Sequence, residues 1–93
     1  MLVRIDLTHR PDAGFAYRVS VPDQEGYEDE GLASIDLAIV GALAGLEPGT
    51  RAVQLSFDGV VSGTYPLKVL SANVEQLARH AVLTAQAVRQ AMS

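Results

Sequence analysis

The chain predicts a small α+β domain in which one sheet is packed by two helices, and three observations carry that expectation. Apolar and polar residues alternate over separate short stretches, two longer stretches carry apolar residues at the three-and-four spacing of a helix, and turn residues punctuate both kinds. Ninety-three residues supply one core and leave no room for a separate substrate domain, so residues 1–93 are expected to form a single domain. Hydrophobic residues at 48% and charged residues at 19% describe a chain that folds.

The strands come first. Residues 2–8 place Val3, Ile5 and Leu7 on one face and Arg4, Asp6 and Thr8 on the other, the pattern of a half-buried strand. Residues 15–21 repeat it through Phe15, Tyr17, Val19 and Val21, and Arg10-Pro11-Asp12-Ala13-Gly14 joins the two as an N-terminal hairpin. The stretch Asp23 to Glu30 follows and, between Pro22, Gly26 and Gly31, is expected to be a loop.

Leu32, Ile39, Val40, Leu43 and Leu46 then mark a helix that ends at Pro48-Gly49. Asp36 falls on that stripe. A carboxylate buried there without a partner would cost several kcal/mol, so it is expected to be paired, bound to a metal, or at the edge of the stripe near the helix dipole. Gly41 and Gly45, four apart, predict a close approach to a neighbouring helix or to the sheet. Residues 51–57 form a third strand with Val53, Leu55 and Phe57 inward, and Asp58-Gly59 offers a turn into a second hairpin at Val60-Val61.

The last third has two solutions. Residues 65–70 form a short strand with Ser71 capping a helix to Met92, or Thr64 caps and Pro66 opens one long C-terminal helix. The long helix is preferred, because Leu67, Leu70, Val74, Leu77, Ala81, Thr84, Val88 and Ala91 form one continuous stripe. Packing within the chain is the expected use of that stripe, with a homodimer seam as the alternative.

Seven basic and eleven acidic side chains give a net charge of −4, and the cations are scattered along the chain, which disfavours direct contact with nucleic acid. The acids are concentrated. Asp23, Glu25, Glu28, Asp29 and Glu30 place five carboxylates in eight residues around Tyr27, whose ring is expected to be an exposed anchor for a basic partner surface. There is no cysteine, no signal-like apolar region near Met1 and no apolar run long enough to span a bilayer, so a soluble cytoplasmic protein with no membrane contact is expected.

The residues that carry chemistry are few. His9 and His80 have no second histidine at ligand spacing, the glycines form no phosphate-binding fingerprint, and no serine sits in a nucleophile elbow. Carboxylates remain. Asp6 near the end of the first strand, Asp36 on the first helix, Asp58 ending Gln54-Leu55-Ser56-Phe57-Asp58 and Glu75 early in the last helix resemble the ribonuclease H family. That resemblance, to a truncated and inactive or an active member, implies two magnesium ions held by Asp6, Asp36, Asp58 and Glu75 for phosphodiester hydrolysis. The hairpin from Gly14 to Asp23 also resembles antitoxin-like modules with a strand-strand-helix start. Charge favours the second class of function: a binding protein without enzymatic activity or cofactor, of inhibitor, antitoxin or phage anti-defence type. It would occupy a basic protein surface, such as that of a nucleic-acid-binding protein, through the acidic stretch.

Overall fold

The computed structural model describes residues 2–92, which fold as β1 (Leu2–Arg10), β2 (Gly14–Ser20), β3 (Tyr27–Leu32), α1 (Ile35–Ala44), β4 (Ala52–Phe57), β5 (Val60–Pro66), α2 (Leu67–Ala72) and α3 (Val74–Met92). The five strands make one sheet in the order β3-β2-β1-β4-β5. β1 lies at its centre, antiparallel to β2 and parallel to β4, with Ile5 opposite Val19 on one side and Leu55 on the other. A parallel neighbour requires a long connection, and β2, β3 and α1 lie within it. The Asp58-Gly59 turn closes the β4-β5 hairpin with positive φ at both residues, +50° and +83°, the backbone of a type I′ turn that asparagine, aspartate and glycine adopt most readily.

Both long helices cover the same face of the sheet. α1 packs over β1, β2 and β3, α3 packs over β4 and β5, and the two helices touch each other. The core forms between these layers, from Val3, Ile5, Leu7, Val19, Val53, Leu55 and Phe57 of the strands and Ala38, Ile39, Ala42, Leu70, Ala78, Ala81 and Ala85 of the helices. The alternation of apolar residues in β1, β2 and β4 is thus the signature of a sheet with one dry face and one wet face. The domain is α+β, with its long C-terminal helix packed on the sheet.

Three elements differ from the sequence expectation. The acidic stretch is not wholly a loop: residues 27–32 are an edge strand paired to β2, with Val19 opposite Tyr27 and Phe15 opposite Leu32. Tyr27 and Leu32 pack against the core at its two ends, and the acids between them stand at an edge where burial is not required. The C-terminal helix is broken at Asn73, whose N–H donates to the Leu70 carbonyl while its own carbonyl accepts from the Leu77 N–H. Its side-chain amide also donates to the Val69 carbonyl at 2.8 Å, so this residue ends α2 and starts α3. Finally, the buried face of α1 is centred on Ala38, Ile39 and Ala42, while Val40 is half exposed. Two alanines and Ile39 mark the inward side.

The glycines of α1 act as the spacing predicts. A methyl group at Gly41 would stand 3.0 Å from the Tyr17 ring, and one at Gly45 would stand 2.7 Å from the Tyr27 ring. Two tyrosines, one from each of the outer strands on this side, therefore occupy a groove that only glycine leaves open. The stripe of the C-terminal helices is used within the chain too, since Leu70 and Ala81 are buried and Val74 and Leu77 pack against the core.

Candidate binding surface

The four acids of the nuclease resemblance are drawn into different local roles. Asp6 projects from β1 onto the helix-free face of the sheet, where the hydroxyl of Ser56, its register partner on β4, donates to Oδ1 at 2.5 Å. Arg4, two residues earlier on the same face, approaches that oxygen to 3.8 Å. Asp58 faces the other layer. Its Oδ2 accepts from the Arg89 guanidinium of α3 at 2.6 Å, and its Oδ1 accepts from the His9 N–H at 3.2 Å, so it ties the end of the last helix to the β4-β5 turn and to β1.

Asp36 lies in the first turn of α1, behind the Ser34 cap that accepts from the Leu37 N–H, and is half-buried at the rim of the core. The positive end of the helix dipole accounts for a carboxylate there. Glu75 is exposed at the start of α3 and pairs with Arg79 one turn on. Roughly 20 Å of helix separates it from Arg89 at about 1.5 Å per residue, which places Glu75 at the other end of α3 from the Arg89–Asp58 contact. Among the described residues no group of three or more His, Asp and Glu side chains is placed to hold a metal ion.

The acids of the Asp23 to Glu30 stretch share one border. Asp23, Glu25, Glu28, Asp29 and Glu30 are all exposed, the last three on the edge strand β3. Glu30 pairs with Arg10 at 3.1 Å, both side chains being well exposed, and Asp29 accepts from the neighbouring Glu30 N–H. The side chains of Asp23, Glu25 and Glu28 make no hydrogen bond or ion pair among the described residues. An open cleft of about 690 Å³ adjoins this border on the helix-free face, lined by Glu28 and Glu30 of β3, Arg18 of β2, Asp6 and Arg10 of β1 and Ser56 of β4. Its charges alternate across the strands, with Arg18 in register between Asp6 and Glu28.

Tyr27 requires a correction. Its ring does not stand among the carboxylates as an exposed anchor but turns toward the helix layer, edge-on to Tyr17 with 6.1 Å between centroids, and its hydroxyl donates to the Ala42 carbonyl at 2.5 Å. Burial, reinforced by the neighbouring Tyr17, holds the Tyr27 hydroxyl above the ordinary tyrosine pKa, which keeps it a donor. The residue fixes the acidic strand to the body. The sequence did contain a signal for this: Tyr27 and Leu32 bracket the acids as two apolar residues with the odd spacing that a bulged strand accommodates.

The histidines are exposed. His9 stacks on Phe15 at 4.5 Å and His80 lies one turn from Thr84. No helix among the described residues is long and apolar enough to cross a membrane. No family model matches the chain, and neither a curated protein nor a solved structure matches it.

Proposed function

We propose that this is a non-enzymatic binding protein whose acidic border, Asp23, Glu25, Glu28, Asp29 and Glu30, docks a basic protein surface. The observation that carries the reading is the concentration of exposed carboxylates on the edge strand β3 and the connection that leads into it, three of them without a side-chain partner among the described residues. Exposed charges of one sign raise the rate of encounter with the opposite sign and repel a phosphate backbone, so a protein surface, such as the cationic site of a nucleic-acid-binding protein, suits this border better than nucleic acid does. Inhibitor, antitoxin and anti-defence proteins are the functional class that this mode of action describes.

The test uses matched baits. Wild-type protein and a Glu28→Lys/Asp29→Lys/Glu30→Lys variant are compared in capture experiments over a salt series, with circular dichroism showing that both are folded. A basic partner retained by the wild type, lost by the variant and weakened by salt supports the reading. Cleavage of RNA, DNA or hybrid duplexes by the purified protein in magnesium, abolished by Asp6→Asn or Asp58→Asn, would overturn it.

A further inference from the structure

The sheet has two open edges of opposite character. β3 presents Glu28, Asp29 and Glu30, whereas β5 carries no charged residue anywhere in Val60–Pro66. An edge strand leaves one row of backbone N–H and C=O groups unpaired, and folded proteins ordinarily guard such a row with charge, proline or a bulge. β3 has charge and a bulge. β5 has a bulge beside Ser62 and a proline at its last residue, and between them Gly63, Thr64 and Tyr65 are unguarded. Tyr65 folds back over Gly63, its hydroxyl 2.8 Å from where a Cβ would stand, which stiffens this segment in extended form. Val61, 48% exposed, and Val69 of α2, 44% exposed, add apolar surface to this side of the molecule. α2 follows β5 directly and packs on it.

We propose that β5 is an interface between two copies of this chain, paired antiparallel about a two-fold axis beside Thr64 so that the sheet continues from one copy into the other. Three points select a second copy as the occupant. Two molecules of net charge −4 repel over most orientations, and the uncharged edge is where their approach is least opposed. Edge-to-edge pairing of β3 would set carboxylate against carboxylate, which leaves β5 as the edge that can pair with itself. An antiparallel β5 pair is isologous and closes at two copies, with Thr64 beside its own symmetry mate, a cross-strand threonine pair of the kind that stabilises sheets. The acidic borders then lie at the two far ends of a ten-stranded sheet, free for the partner proposed above, although the dimer does not depend on that partner.

Sedimentation equilibrium of the full chain, from micromolar concentration to about 0.5 mM, is the experiment. A reversible dimer is expected, with β5 amides from Gly63 to Tyr65 exchanging more slowly with deuterium as concentration rises. Thr64→Lys sets two ammonium groups side by side at the axis and should weaken dimerisation several-fold while leaving the thermal melt of dilute protein nearly unchanged. Glu28→Lys, on the opposite edge, should leave the dimer intact. A monomer throughout the range overturns the proposal, and so does a dimer that ignores Thr64→Lys or responds to Glu28→Lys.

Discussion

The β3-β2-α1 side and the β4-β5-α3 side of this molecule solve the same packing problem with opposite distributions of bulk. On the first, the helix is stripped to Gly41 and Gly45 and the strands supply Tyr17 and Tyr27. On the second, the helix presents Ala78, Ala81 and Ala85 to Val53, Leu55 and Phe57, and an ion pair from Arg89 to Asp58 closes the end. The consequence appears at the edges. A strand anchored by a tyrosine that reaches the helix backbone keeps its place with three consecutive carboxylates on it, while β5, whose tyrosine lies over its own Gly63 at the margin of the core, is held by its hairpin with β4 and by α3.

Removing each tyrosine tests this contrast most severely. Tyr27→Ala deletes a ring packed between Tyr17 and α1 together with the hydrogen bond to Ala42, and is expected to cost about 3 kcal/mol, a large share of the stability of so small a domain. Tyr65→Ala, whose hydroxyl reaches only 3.5 Å from the Ser62 carbonyl, should cost about half as much. Urea denaturation measures both, and equal losses would end the distinction between an edge anchored through its tyrosine hydroxyl and one held by its hairpin and α3.

Gly45→Ala sharpens the same comparison from the helix side. The new methyl must push the Tyr27 ring away, at a cost of about 1–2 kcal/mol, although alanine is the better helix former. In a Tyr27→Ala background the clash has no counterpart, so a double-mutant cycle should return a coupling energy of about the same size. On the α3 side the corresponding constraint is electrostatic. Asp58→Asn keeps the left-handed turn residue and an acceptor for the His9 N–H but removes the charge facing Arg89, for an expected loss of about 1 kcal/mol, discounted because Arg89 is largely exposed.

How much of this is legible in the sequence follows the same division. β1, β2, β4 and the Asp58-Gly59 turn show plainly, because half-buried strands alternate and a type I′ turn restricts its residues. β3 shows only faintly, since an edge strand with no buried middle carries no alternation, and its one signal is the pair Tyr27 and Leu32 whose odd spacing makes sense only once a bulge is allowed. The break at Asn73 is hidden for a different reason: the apolar stripe runs unbroken through it, and the capping role of one asparagine is a local choice. The acidic border is visible as composition, but the inward turn of Tyr27 is not, because the glycine groove on α1 that receives it lies far away in sequence.

Alkaline pH provides a smaller effect that is specific to the anchored edge. The Tyr27 hydroxyl is raised above its unfolded value of about 10, so above that pH the folded state holds a proton that the unfolded chain has released. Stability attributable to this group is fully present below pH 10 and is lost as the pH rises through the tyrosine range toward the raised value. Tyr27→Phe should flatten that part of the stability profile, and an unchanged slope in the variant would show that Tyr27 is not its source.

The smallest expected effect on stability falls on the acids themselves. Replacing Asp23, Glu25, Glu28, Asp29 and Glu30 together by their amides should change unfolding free energy by less than about 1 kcal/mol, because each is exposed and the one ion pair, Glu30 with Arg10, is solvated. Relief of like-charge repulsion along β3 acts in the stabilising direction, so a small gain at low salt that fades at high salt is expected. Binding to a basic partner should respond in the opposite sense, mainly through slower association. A large loss of stability would instead show that the carboxylates hold β3 in place. In that case the anchoring assigned to Tyr27 would be shared, and the contrast between the two edges would be one of degree.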